Sequence, residues 1–98
     1  MKSYPRGSLV RESFEFRQES DFTLHDPTDV FFSYKIEFDG TPTVLHFGVD
    51  AGLVKDAVGQ YHVDINGSIA GIYYMKAYST GTGQAAQERQ FEIQSNFL

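Results

Sequence analysis

The residues able to do acid–base or metal chemistry are few and scattered. The tightest group is Tyr61-His62-Val63-Asp64, with His62 and Asp64 two apart. On a strand that spacing puts both side chains on one face, as a metal pair or an acid–base pair would need. Two ligands make no zinc site, which takes three or four. A serine nucleophile needs an activating partner, and no Gly-x-Ser-x-Gly elbow occurs. The pair is therefore expected on a solvated outward face, making cross-strand contacts. His25, His46 and His62 lie on three separate segments without a helical His-x-x-x-His spacing, which is weak ground for a metal centre. Asp39, Asp50, Asp56 and Asp64 form no Asp-x-Asp-x-Asp ladder for calcium and are expected to satisfy turns.

The remaining candidates have structural readings too. Ser79-Thr80-Gly81-Thr82-Gly83 is glycine-rich but lacks the lysine and following helix of a phosphate loop, so it reads as a hairpin turn. Asp26-Pro27-Thr28 suits a turn entering a strand, with Asp capping and Pro fixing φ. Tyr73, Tyr74 and Tyr78 are the residues that would make a stacking platform for sugar. Aromatics on a β face more often serve the core on one side and a protein contact on the other. The expectation is thus no catalytic residue, no metal site and no cofactor.

These residues need elements to carry them, and the dominant signal is a two-residue beat. Val30, Phe32, Tyr34, Ile36 and Phe38 alternate with the mostly polar Ser33, Lys35 and Glu37, the pattern of a half-buried strand over Asp29 to Phe38. Val10, Phe14 and Phe16 set a first strand within Leu9 to Gln18, followed by a loop over Glu19 to Thr28. Asp39-Gly40 is a hairpin signal. Thr41 to Phe47 returns as a strand whose start Pro42 confines to an edge or turn, and Gly48 to Gly52 turns again. Leu53 to Lys55 reads as a short strand or a bulged edge, with a turn over Asp56 to Gly59. Any helical turn is expected outside Ala85 to Gln90, such as near Ala51 to Lys55. Tyr61, Val63 and Ile65 alternate against His62 and Asp64. Asn66-Gly67 turns the chain before Ile72 to Ser79, which is apolar on both faces. That suits a central strand, or one face in the core and the other on a partner. The last strand spans Gln84 to Gln94; Ala85 to Gln90 is helix-friendly, but its context favours strand.

Totals narrow the class. The chain has 98 residues and fits one domain. Nine Phe and six Tyr supply large buried areas, while the absence of Cys excludes disulfides and thiolate metal sites. A formal charge of −5 argues against nucleic acid and polybasic membrane contact. No apolar run approaches the roughly 20 residues of a membrane span. Lys2 and Arg6 are followed by no apolar leader core, so export by the usual secretory route is not expected. About seven short strands separated by regular turn signals predict an all-β antiparallel sandwich. Its core should include Phe32, Tyr34, Ile36, Tyr73, Met75, Phe91 and Ile93. An extended arm is expected over Met1 to Gly7, a sandwich over 8–94 and a tail over Ser95 to Leu98.

Asp26-Pro27-Thr28-Asp29-Val30, Asp39-Gly40, Gly48, Val54-Lys55-Asp56 and Gly59-Gln60-Tyr61-His62-Val63-Asp64 occur in that order. They are followed by Gly71-Ile72-Tyr73-Tyr74-Met75-Lys76, by Ser79 through Glu88, and by Phe91-Glu92-Ile93. Over about three-quarters of its length, the sequence resembles small immunoglobulin-like structural proteins of bacteriophages and prophages. That group often places Trp where this chain has Tyr73 and Ala77. The resemblance implies an immunoglobulin-like sandwich of the virion, made in the host cytoplasm and holding neighbouring subunits at the head, neck, tail or baseplate. Its partners would be other virion proteins and copies of itself. The competing expectation is a carbohydrate-binding or host-surface adhesion module.

Overall fold

In the computed structural model, described over residues 1–17, 23–37, 40–81 and 86–95, eight strands follow one another. They are β1 (Lys2–Tyr4), β2 (Leu9–Glu15), β3 (Asp29–Ile36) and β4 (Thr43–His46), then β5 (Leu53–Ala57), β6 (Gln60–Asn66), β7 (Gly71–Thr80) and β8 (Ala86–Ile93). They form a five-stranded sheet, ordered β1-β8-β7-β3-β4, and a three-stranded sheet, ordered β2-β6-β5. With β2, β6 and β5 as strands B, E and D, and β3, β7 and β8 as C, F and G, this is the immunoglobulin-like sandwich. β4 adds a strand beside C. β1 lies beside G rather than beside B.

Every pairing is antiparallel except β1 with β8. The expected N-terminal arm is extended but belongs to the sandwich: Lys2, Ser3 and Tyr4 pair with Phe91, Glu92 and Ile93. The chain then changes sheets through Pro5 to Ser8, where the Ser8 amide bonds to Pro5 O and the Gly7 amide to Gly67 O.

The two-residue beat has the predicted outcome. Val10, Phe14, Phe16, Val30, Phe32, Leu53, Tyr61, Val63, Ile65, Tyr73, Met75, Ala77, Phe91 and Ile93 form one core. Of the seven core residues expected from the sequence, Tyr34 and Ile36 are only partly buried and pack against its edge. With no disulfide to join the sheets, aromatic packing does so. Phe14 of β2 stacks on Phe32 of β3 across the two sheets at 5.6 Å, while within the five-stranded sheet Tyr73 stacks on its register partner Phe91 at 4.8 Å. Each such ring contributes roughly 1.5–3 kcal/mol by leaving water.

Element ends differ modestly from expectation. The first strand stops at Glu15, after which Arg17 makes an isolated bridge to Leu24. β5 runs on to Ala57 through a bulge between Lys55 and Ala57, confirming the bulged edge and shortening the turn to Val58-Gly59. The ambiguous Ala85 to Gln90 stretch is strand from Ala86, because its partner β7 supplies a full antiparallel ladder. No helix occurs among the described residues. Phe38, Asp39, Gly83, Phe97 and parts of the expected loop, turn and tail segments lie outside the described residues.

Candidate functional site

The two residues that looked most like a chemical pair share one face of β6 but take their partners from opposite neighbouring strands. Asp64 is exposed and makes a bidentate contact with Arg11 of β2, Nε to Oδ1 at 2.8 Å and Nη2 to Oδ2 at 3.1 Å. These are cross-strand partners, as expected, and the Arg11 hydrogen bond and charge hold the Asp64 carboxyl below its ordinary range. His62 corrects the expectation. It is 9% exposed rather than solvated, and its Nδ1 lies 2.7 Å from Asp56 Oδ1. The physical reason is alternation along β5, which puts Asp56 on the same face as Val54, the register partner of His62. Among the described residues, no group of three His, Cys, Asp or Glu is placed to hold a metal ion. No buried side-chain polar atom among them lacks a partner.

Asp26 does more than cap its own turn. Its Oδ1 accepts the Gly59 amide at 2.8 Å and the Tyr61 hydroxyl at 3.3 Å, and its Oδ2 meets Lys55 Nζ at 2.8 Å. The loop entering β3 is thereby latched to the β5–β6 hairpin of the other sheet. The Lys55 and Gly59 hydrogen bonds hold the Asp26 carboxyl below its ordinary range. Burial of the Tyr61 ring, then the neighbouring Asp26 charge, pushes the phenol up to about 12, so it remains a donor. Gly59 sits at φ +69°, where a Cβ would meet backbone atoms of Phe16 and His25 at 2.7–2.8 Å. Sequence reasoning saw the turn but not the latch, because its partner is 33 residues away.

The surface least explained by folding is the outer face of the five-stranded sheet. β7 is a central strand with both expected faces: Tyr73, Met75, Ala77 and Ser79 point into the core, while Ile72, Tyr74, Lys76 and Tyr78 point out. In cross-strand register with Tyr78 stand Phe31 and then His46. Their rings form a ladder, His46 on Phe31 at 4.4 Å and Phe31 on Tyr78 at 5.1 Å, with Lys76 Nζ 5.4 Å from the Tyr78 centroid. Asp29 anchors one end of the ladder, its Oδ1 3.2 Å from His46 Nε2 and its Oδ2 accepting the Thr80 hydroxyl at 3.3 Å. Next to the ladder lie Val44, 50% exposed, and Tyr74, 40% exposed. An open groove here runs past Ser33, Lys35, Gly40, Pro42, Tyr74 and Gln90.

Charge on this face is unspent. Among the described residues, Lys35, Lys76, Glu37 and Glu88 join no ion pair, although Lys76 and Glu88 are directly opposed in register. By contrast, Arg11, Arg17, Lys55 and Arg89 all pair within the chain.

Three of the four sheet edges, β4, β2 and β5, are guarded rather than offered. On β4 the His46 amide donates to Asp50 Oδ2, and its carbonyl accepts the amides of Val49 and Asp50. On β2 two carbonyls are taken by side chains from β8: Gln87 Nε2 to Glu15 O and Arg89 Nη1 to Ser13 O, each 2.6 Å. β5 carries its bulge. These devices obstruct the addition of a further strand.

Compared with family models, curated proteins and solved structures, the chain matches none.

Proposed function

We propose that the chain is a non-enzymatic structural protein of a bacteriophage particle, a rigid sandwich that holds neighbouring subunits at the head, neck, tail or baseplate. The observation that carries this reading is the outer face of the five-stranded sheet. A solvated face of an antiparallel sheet is ordinarily polar. This one presents Phe31, Val44, Ile72, Tyr74 and Tyr78, the aromatic-rich composition of protein contact surfaces. The setting is taken from the resemblance of the motif order to phage immunoglobulin-like proteins. The mechanism is mechanical: aromatic packing fixes the two sheets, and weak contacts repeated around a symmetric particle add up to firm attachment.

The sugar-binding alternative is left with Tyr74 and the half-buried Tyr78, whose ring stacks on Phe31. The Tyr73 ring is buried and its hydroxyl donates to Ile69 O at 2.7 Å. Both faces of Phe31 are covered by other rings, which leaves no broad platform for a pyranose. The test of the assembly role is compositional. Particles purified from the genome encoding the chain should contain it, by quantitative mass spectrometry, in a fixed ratio to the main structural proteins. Its absence from the particles would refute the role. Glycan-array binding abolished by Tyr74→Ala in a folded protein would replace it with the adhesion reading.

A further inference from the structure

Resting on the assembly role, we infer that the outer face of the five-stranded sheet is a self-complementary contact at which two copies of this chain pair about a two-fold axis. The axis runs along the strands between β7 and β8.

The argument begins with register. Lys76 of β7 and Glu88 of β8 occupy the same row of the sheet and both point outward, yet they do not pair within the chain. A two-fold axis lying in the contact plane between these strands exchanges the two columns while keeping the rows. Each β7 then faces the partner copy's β8. Lys76 falls over the partner's Glu88 and Glu88 over the partner's Lys76, forming two equivalent ion pairs. The contact is isologous, as a two-fold requires.

The neighbouring rows fit the same operation. Tyr78 shares its row with Ala86, and Tyr74 shares its row with Gln90. The exchange sets the large Tyr78 ring over the small, exposed Ala86 of the other copy, and Tyr74 over the flexible amide of Gln90. Aligned sheets stack about 10 Å apart, a gap that Tyr and Lys side chains span. The outer face of the three-stranded sheet offers no such operation, because its opposed charges Arg11 and Asp64 already satisfy each other.

Size sets the strength. With the axis between β7 and β8, β3 falls opposite the partner copy's β1 and β4 beyond its edge, so four strands at about 4.8 Å spacing and four outward rows overlap over roughly 300 Å² in projection. That is below the range of standard specific contacts, so the pair should be weak in isolation and firm only where copies are held together.

Sedimentation velocity of the purified chain, from about 10 μM to about 1 mM, reads this directly. Reversible dimerisation is expected. Lys76→Glu or Glu88→Lys alone should raise the dissociation constant about tenfold or more, because each sets like charges together. The double swap should return it to near the wild-type value. Unchanged melting temperatures show that each variant is folded. A monomer at every concentration, a dimer indifferent to both reversals, or a double swap without rescue would each overturn the contact. Particle composition decides the assembly role separately, so either can fail alone.

Discussion

The two outer faces of this sandwich are built from similar strands and spend their polar groups differently. On the three-stranded sheet, Arg11 closes on Asp64 and His62 on Asp56. Its exposed apolar residues, Leu9 and Val54, stand on different strands with β6 between them. That face is finished by its own chain. On the five-stranded sheet, rings stack across β4, β3 and β7, and Lys35, Lys76, Glu37 and Glu88 find no counter-ion among the described residues. Both faces are compatible with folding, since exposed ion pairs contribute little. What distinguishes them is which groups still have an interaction to make.

Four substitutions break or sharpen this contrast. The largest effect is expected at the latch on which both faces depend. Gly59→Ala puts a Cβ within 2.7–2.8 Å of backbone oxygen and nitrogen at a positive φ. Backbone cannot swing away as a side-chain tip can, so a loss of more than about 3 kcal/mol is expected from the clash and strain together. Urea unfolding measures it; a variant of near wild-type midpoint would show that the hairpin is not held against the β3 entry loop.

A smaller and pH-dependent effect is expected at Asp26. Its carboxyl pKa is lowered in the fold by Lys55 and the Gly59 amide. A depressed folded-state pKa adds stability that is complete above the unfolded value of about 4 and fades as pH falls through the folded value. Asp26→Asn should therefore be less stable than wild type at pH 7 and converge with it in acid. Both Asp26 and Lys55 are more than a third exposed, so water screening keeps the difference below about 1 kcal/mol. A difference that grows on acidification would contradict the latch.

The smallest stability effect and the sharpest contrast come from paired surface changes. Tyr74→Ala on one face should leave stability within about 0.5 kcal/mol while weakening self-association. Arg11→Ala on the other should leave self-association unchanged. Sedimentation and thermal melting of the same samples separate the two, and equal association defects would erase the contrast between the faces.

Much of the fold was legible because strand alternation is local. Val10, Phe14, Phe16, Phe32, Tyr73, Met75, Phe91 and Ile93 stand at two-residue steps that can bury together only as strands. The central position of β7 followed from its two apolar faces. The site was less legible. His62 and Asp64 look like a pair in the sequence, yet each has a partner from another strand. Asp26 reads as a turn residue and turns out to bridge two sheets.

The sequence by itself determined the class: alternating apolar residues, turn signals and missing cysteines leave an aromatic-cored β sandwich as the way to bury them. Only the tertiary structure decided which strands are neighbours, and hence that Phe31 meets both His46 and Tyr78 while Lys76 faces Glu88 unpaired. Periodicity fixes the face on which a side chain lies, because that is a property of a few adjacent peptides. Strand order and register depend on contacts between segments tens of residues apart, and no local pattern encodes them.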